Sequence, residues 1–418
     1  MTSIRFTLLL SLLAIFAISA SAVDTQTILY TFQGVHTHQA DGANPESGLI
    51  ADSAGNLYGT TYNGGGCPAP FTQGCGIVFE LSPQSNGSYT KTTLYAFQNQ
   101  SDGGSPTGDL VFDSAGNLYG TTEYGGTLGG NCTYGCGTVY ELSPSSSGGW
   151  TETVLYSFPG GTGPKYPLGS VVFDPSGNLY GTSFTGGTDS SSGGTIYELS
   201  PSSGGWTETT LHSFALATGI YPDAGVILDA AGNLYGTASQ GVSNSGICTG
   251  YACGAVYRLA KTATGWQYGL LYTFEGPRGA QPHEALVMDQ AGNLYGSTYY
   301  GGTAYDGVVF ELTPTTTGQW KETLLHSFTG GTDGIAPTAL SIDSAGNIYG
   351  TSSAAAFKLI PSSNGGWQFQ ILCALADGDT STSPLLRNAA GDLFGMSYGG
   401  GKQDAGTVYE LSPVVTAP

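Results

Sequence analysis

Short runs in which apolar and polar residues alternate recur along the whole chain, as in Thr138-Val-Tyr-Glu-Leu142, and no stretch keeps a helical period over three turns. A period of two predicts strands with one face buried, so the expected class is all-β. The runs fall into four kinds that repeat in fixed order. Strand A is an apolar run ending in Asp, such as Leu110-Val-Phe-Asp113 or Val171-Val-Phe-Asp174. Two small residues and Gly-Asn follow, then strand B, Leu-Tyr-Gly-Thr. In Asp113-Ser-Ala-Gly-Asn-Leu-Tyr-Gly-Thr121 the first glycine occupies the position where a tight hairpin needs positive φ.

Copies of that motif begin at Asp52, Asp113, Asp174, Asp229, Asp289, Asp343 and, degenerate, at Asn388. Strand C is typified by Thr195-Ile-Tyr-Glu-Leu-Ser-Pro201, whose proline ends the ladder because it cannot donate. Strand D contains Val154-Leu-Tyr-Ser-Phe158 and its equivalents, and Trp150, Trp206, Trp266, Trp320 and Trp367 all stand where this strand begins. Five tryptophans at one repeat position predict packing, not five binding sites. The last copy stops after strand C, whereas Thr27-Ile-Leu-Tyr-Thr-Phe32 is a strand D with no A, B or C before it. An N-terminal strand that completes the C-terminal sheet fastens a ring, so the expected fold is a seven-bladed β-propeller of four-stranded antiparallel blades.

The Asp-x-x-Gly-Asn-Leu-Tyr-Gly-Thr, Gly-x-Val-Phe/Tyr-Glu-Leu and Leu-Tyr-Ser-Phe segments resemble the tandem repeat called GloVer, found in exported bacterial proteins, over residues 27 to 413. The resemblance implies a propeller-like repeat domain and carries no functional residue with it. The motif core is more loosely similar to repeats of streptogramin lyases and lactonases, which is a likeness of fold.

Composition narrows the partners. The chain has 418 residues, 68 glycines, 10% charged residues and a net charge of −20. So acidic a surface argues against nucleic acid and anionic lipid. Arg5, the apolar run Phe6 to Ile18 and Ala20-Ser-Ala22 read as a signal peptide over residues 1–22, leaving 23–418 as one exported domain, extracellular or periplasmic. A monomer with no membrane span after cleavage is expected. Cys67 with Cys75, Cys132 with Cys136 and Cys248 with Cys253 are expected to form disulfides that pin the B-to-C loops, and Cys373 to be buried as a small hydrophobe.

The D-to-A and B-to-C connections share one face. Variable loops on a rigid scaffold are where function is usually placed. The D-to-A loops carry Asp41, Glu46, Asp102, Asp109, Asp223, Glu284 and Asp333, the candidate ligand-binding carboxylates. They are the oxygen ligands a calcium ion would need, and the Asp-Gly steps among them are equally ordinary turn chemistry. His283 with Glu284 is the candidate acid–base pair, because His titrates near neutrality. His36-x-His38 is a minor metal candidate, and His212 and His326 replace the Tyr of strand D in packed positions. The inner strands are apolar except for Arg387. The first functional expectation is a non-enzymatic domain binding a glycan, peptide or surface partner through its loop face. The alternatives are a lyase- or lactonase-like enzyme at the channel mouth and a structural surface protein.

Overall fold

The computed structural model describes residues 25–412 except 35–40, 69–70, 130, 147, 243–247, 249–252 and 376–382. The signal-peptide reading and His36 and His38 therefore lie outside the described residues. Seven sheets are arranged as seven blades, each with strands A to D in order from the axis outward. In the second blade these are Val111–Phe112, Leu118–Tyr124, Thr138–Pro144 and Trp150–Ser157. The seventh sheet takes its A, B and C strands from Leu386–Arg387, Leu393–Ser397 and Thr407–Ser412, and its D strand from Thr25–Thr31. Thr25 pairs with Ser412 and Thr31 with Thr407, so the two ends of the chain share one sheet and close the ring.

The hairpin motif is locked by its aspartate. Asp113 accepts from the backbone N–H of Ala115 and of Asn117, from Asn117 Nδ2 and from the Tyr119 hydroxyl, and Gly116 has φ of 86°. The same bonds recur at Asp52, Asp174, Asp229, Asp289 and Asp343. The strand B tyrosine so fixed packs against a tryptophan of the next blade: Tyr58 on Trp150, Tyr180 on Trp266, Tyr235 on Trp320 and Tyr295 on Trp367. The tryptophans are therefore inter-blade packing.

Strand C is buried on both faces because each blade is covered by a neighbour on either side. Val139, Tyr140 and Leu142 are fully buried. The apolar clusters accordingly straddle blade junctions. The cluster of Tyr58, Val78 and Phe97 with Leu118, Tyr140 and Leu142 joins the first blade to the second. The glycine of Leu-Tyr-Gly belongs to this packing: a Cβ on Gly120 would lie 2.5 Å from the Tyr140 hydroxyl and 2.7 Å from its ring. Gly120→Ala is expected to destabilise the fold by about 1–3 kcal/mol through overpacking, read as a lower urea midpoint with unchanged slope. A midpoint equal to wild type would show that the junction yields without cost.

Strand A is shorter than the sequence pattern suggests. Only two residues per blade join the ladder in the strand A position. The D-to-A segment returns beside the end of strand B instead, as in the pairing of Thr122 with Pro106 and of Gly42 with Gly64. Three disulfides, Cys67–Cys75, Cys132–Cys136 and Cys248–Cys253, brace the loops on this face and suit an oxidising compartment. Cys373 is buried in an apolar cluster with Leu372 and Tyr409. Among the described residues no helix is long and apolar enough to cross a membrane.

Candidate functional site

Each inner strand is preceded by a buried aliphatic residue, Leu49, Leu110, Val171, Val226 and Leu286 in the first five blades. The residues just before these anchors face the axis. Three positions upstream stand Glu46, Thr107, Leu168, Asp223 and His283; one position upstream stand Asp109, Ser170, Gly225 and Ala285 in blades two to five. All nine line a cavity of about 400 Å³ at the channel mouth, together with Glu284, Tyr62 and Glu123. Glycines let the segments approach this closely: a Cβ on Gly169 would collide with the backbone of Ala224 and Gly225. The site is thus built from the same repeat positions in several blades, with titratable residues from the first, second, fourth and fifth and none from the third.

Asp223 and His283 occupy that position in adjacent blades and meet, with His283 Nδ1 2.5 Å from Asp223 Oδ2. The Asp223 Oδ1 atom is buried and has no hydrogen-bond partner among the described residues. The imidazole keeps 38% of its side-chain surface exposed and packs edge-on against Tyr299. Burial opposes its charged form, but the hydrogen bond and charge of Asp223, with Glu284 adding, outweigh that and raise its pKa. Burial pushes the neighbouring Glu284 carboxyl up to about 7 despite His283, and Asp109 and Asp223 add to the rise. Burial and the charge of Glu123 push Glu46 up to about 7 as well. Asp109 is raised by burial against a hydrogen bond from the Gly48 N–H. Glu123 accepts from the Tyr62 hydroxyl at 2.8 Å.

The other candidate carboxylates do not converge here. Asp41, Asp102 and Asp333 are tied to strand D and to their own loops, away from the axis. Asp41 accepts from Lys91 Nζ at 2.7 Å and from the Gln33 N–H. Asp102 accepts from the Gln98 N–H and the Tyr95 hydroxyl, and Asp333 from the Thr329 hydroxyl, with His326 beside it. His212 and His326 stack face to face on Tyr268 and Phe369, and burial lowers both pKa values, that of His212 to about 4. Among the described residues no group of three or more His, Cys, Asp or Glu is placed to hold a metal ion. Sequence reading passed over Tyr62 and Glu123, although both directly follow the strand B Gly-Thr-Thr, a column that also contains Phe184, Tyr299 and Tyr398.

The buried acids predict a pH dependence of stability. Glu46 and Glu284, and Glu152 at an outer junction beside Asp102, have folded pKa values near 7 against about 4.5 for the free side chain. The folded state then holds more protons than the unfolded state between these values, so stability falls as pH rises from about 4.5 through 7. His283, raised, acts in the same direction above its ordinary pKa, while His212 and His326, lowered, oppose it as pH falls below about 6.5. The motif aspartates, lowered, withdraw stability only in stronger acid. The melting temperature is expected to be higher at pH 5 than at pH 8, and Glu46→Gln with Glu284→Gln to flatten the difference. Thermal melts across this range check it, and a higher melting temperature at pH 8 would contradict the assignment.

No curated protein matches the sequence. Among solved structures the chain is similar to a streptogramin B lyase, at 15% identity, covering 91% of this chain and 97% of that one with a TM-score of 0.54. A catalytically inactive histidine-to-alanine variant of virginiamycin B lyase from Staphylococcus aureus, with quinupristin, is 13% identical, with 93% and 99% coverage and a TM-score of 0.56. The extracellular domain of a hybrid two-component system from B. thetaiotaomicron is 11% identical over 94% of this chain and 41% of that one, with a TM-score of 0.55. At these identities the likeness is one of fold. Sequence is more specific: the Gloeobacter/Verrucomicrobia repeat matches residues 127–357 and 249–417, so the chain belongs to that repeat family.

Proposed function

We propose that the channel mouth is an acid–base catalytic site acting on a small substrate, of the lyase or the lactone- and ester-opening kind. The observation that carries the reading is the Asp223–His283 pair lining the same cavity as Glu284, a carboxyl half protonated near neutrality. Asp223 holds Nδ1 and leaves Nε2 as the ring nitrogen open to a substrate. In an elimination, His283 takes the proton from the carbon next to a carbonyl while Glu284 gives its proton to the departing oxygen. The C–O bond breaks, its electron pair leaves with the oxygen, and a double bond forms in its place. In ring or ester opening, His283 takes the proton of a water whose oxygen bonds to the carbonyl carbon, the acyl C–O bond breaks, and Glu284 gives its proton to the departing oxygen. Either needs one proton on the His283–Glu284 pair. Similarity of fold to lyases, one of which is inactivated by loss of a histidine, supports the reading as analogy.

A second reading, non-enzymatic binding of a glycan, peptide or surface partner, is favoured by the exposed Tyr134, Tyr299, Tyr300 and Tyr398 on the loop face. The experiment that separates the two is a screen of lactones, aryl esters and β-acyloxy carbonyl compounds between pH 5 and 9, read by mass spectrometry. Turnover with a bell-shaped pH profile is expected. Compounds that bind in the channel without product formation would reject the enzyme and leave the binding domain.

A further inference from the structure

A second cavity, of about 290 Å³, lies on the loop face at the junction of the first and second blades. Its aromatic lining is Tyr62, Phe71, Tyr124 and Tyr134. Phe71 meets Tyr134 at 5.1 Å and Tyr124 meets Tyr134 at 6.3 Å, both edge to face, so the rings build a corner instead of a closed stack. Tyr134 keeps 47% of its surface exposed. The remaining lining consists of amides, hydroxyls and glycine, including Gln73 and Asn99, and contains no charged side chain. Asn99 is 7% exposed, and its Oδ1 is buried without a hydrogen-bond partner among the described residues.

In a chain of net charge −20, an uncharged cleft beside an acidic cavity is a selective feature. A cationic ligand would find no carboxylate in it, and an anionic one no counter-charge. Aromatic faces covering the apolar face of a ring, with amides and hydroxyls for its edge, match a neutral, hydroxyl-rich ring. The Asn99 oxygen is an acceptor without a donor, and burial in that state is unfavourable unless a donor reaches it. A ligand hydroxyl supplies one. Two of the loops that build the cleft are braced. Cys67–Cys75 spans the turn carrying Phe71 and Gln73, and Cys132–Cys136 spans the turn carrying Tyr134. Bracing removes part of the ordering cost of binding.

We propose that this cleft is a binding site for a neutral saccharide ring, distinct from the channel cavity and adjoining it through Tyr62, which lines both. The test is isothermal titration of the oxidised full domain with cello-, xylo-, manno- and maltotetraose. At least one is expected to bind with Kd of about 10 µM to 1 mM. Because no charge takes part, the affinity should be unchanged between about 50 and 500 mM salt. Tyr134→Ala and Phe71→Ala should each weaken it at least about tenfold. Tyr134→Ala removes a half-exposed ring and should leave the melting temperature unaltered, so lost binding is not lost folding. His283→Gln should bind as wild type, which keeps this result separate from that for the channel. Failure of all four sugars to bind, affinity untouched by both aromatic substitutions, or binding that collapses with salt would each overturn the proposal.

Discussion

His283→Gln is expected to lower kcat/KM on any substrate turned over at the channel mouth by about two to four orders of magnitude, the usual contribution of one general acid–base group. Gln keeps the size and some hydrogen bonding of the ring but cannot carry the proton. Glu284→Gln should cost a similar factor for the same reason. The double variant should cost little more than either alone, because the two groups act as a unit in one concerted step. Asp223→Asn gives a readout that simple loss of structure would not. Asp223 raises the pKa of His283 and adds to the rise at Glu284. Removing its charge lowers both, so the entire bell-shaped profile should move towards acid. The two limbs belong to the coupled pair and not to either residue. A profile that stays in place or moves towards base would remove Asp223 from the mechanism, and full activity of His283→Gln would remove the mechanism itself.

What the sequence made legible was local and periodic. The hairpin motif, with Asp in six copies and Asn388 in the seventh, its positive-φ glycine and the alternating strands are fixed by short-range geometry, so blade number and strand order follow from them. Closure was readable because Thr27 to Phe32 is a strand D without a blade of its own. The site was less legible, for a physical reason. A core position tolerates few residue types and so shows its pattern, whereas the residue three before Leu49, Leu110 or Leu286 faces a cavity and is free to be Glu, Thr or His. His283 and Asp223 were both candidates, but 60 residues separate them, and only the ring brings adjacent blades together. Nor does an Asp in a D-to-A loop declare whether it turns towards the axis, as Asp223 does, or back onto strand D, as Asp41, Asp102 and Asp333 do. Aligning the blades on their buried aliphatic residue would have placed Glu46, Asp223 and His283 in one column.

The largest stability effect is expected at the ring's closing junction. Phe32 is fully buried and packs edge-on against Phe79 with ring centroids 5.3 Å apart, in one cluster with Leu57 and Ile77 of the first blade and Met396 and Val408 of the seventh. Phe97 makes the equivalent contact with Tyr140 between the first and second blades. Replacing either by Ala removes the same buried ring, at about 3–5 kcal/mol. The consequences differ because of chain connectivity. Opening the Phe97 junction leaves the blades joined by the continuous ring on the far side and by the chain itself. The seventh sheet, by contrast, takes its outer strand from the other end of the chain, held by the ladder from Thr25 to Thr31 and the Phe32 cluster. Deleting residues 25–32 should therefore do more than Phe32→Ala. It strips strand Thr407–Ser412 to an open edge, and a bare edge of this kind pairs with other chains. Urea titration should place Phe32→Ala at least as low as Phe97→Ala, and size-exclusion chromatography should show the deletion variant as aggregate. A deletion variant that stays monomeric and melts within a few degrees of wild type would mean that the N-terminal strand covers the last blade without closing the ring.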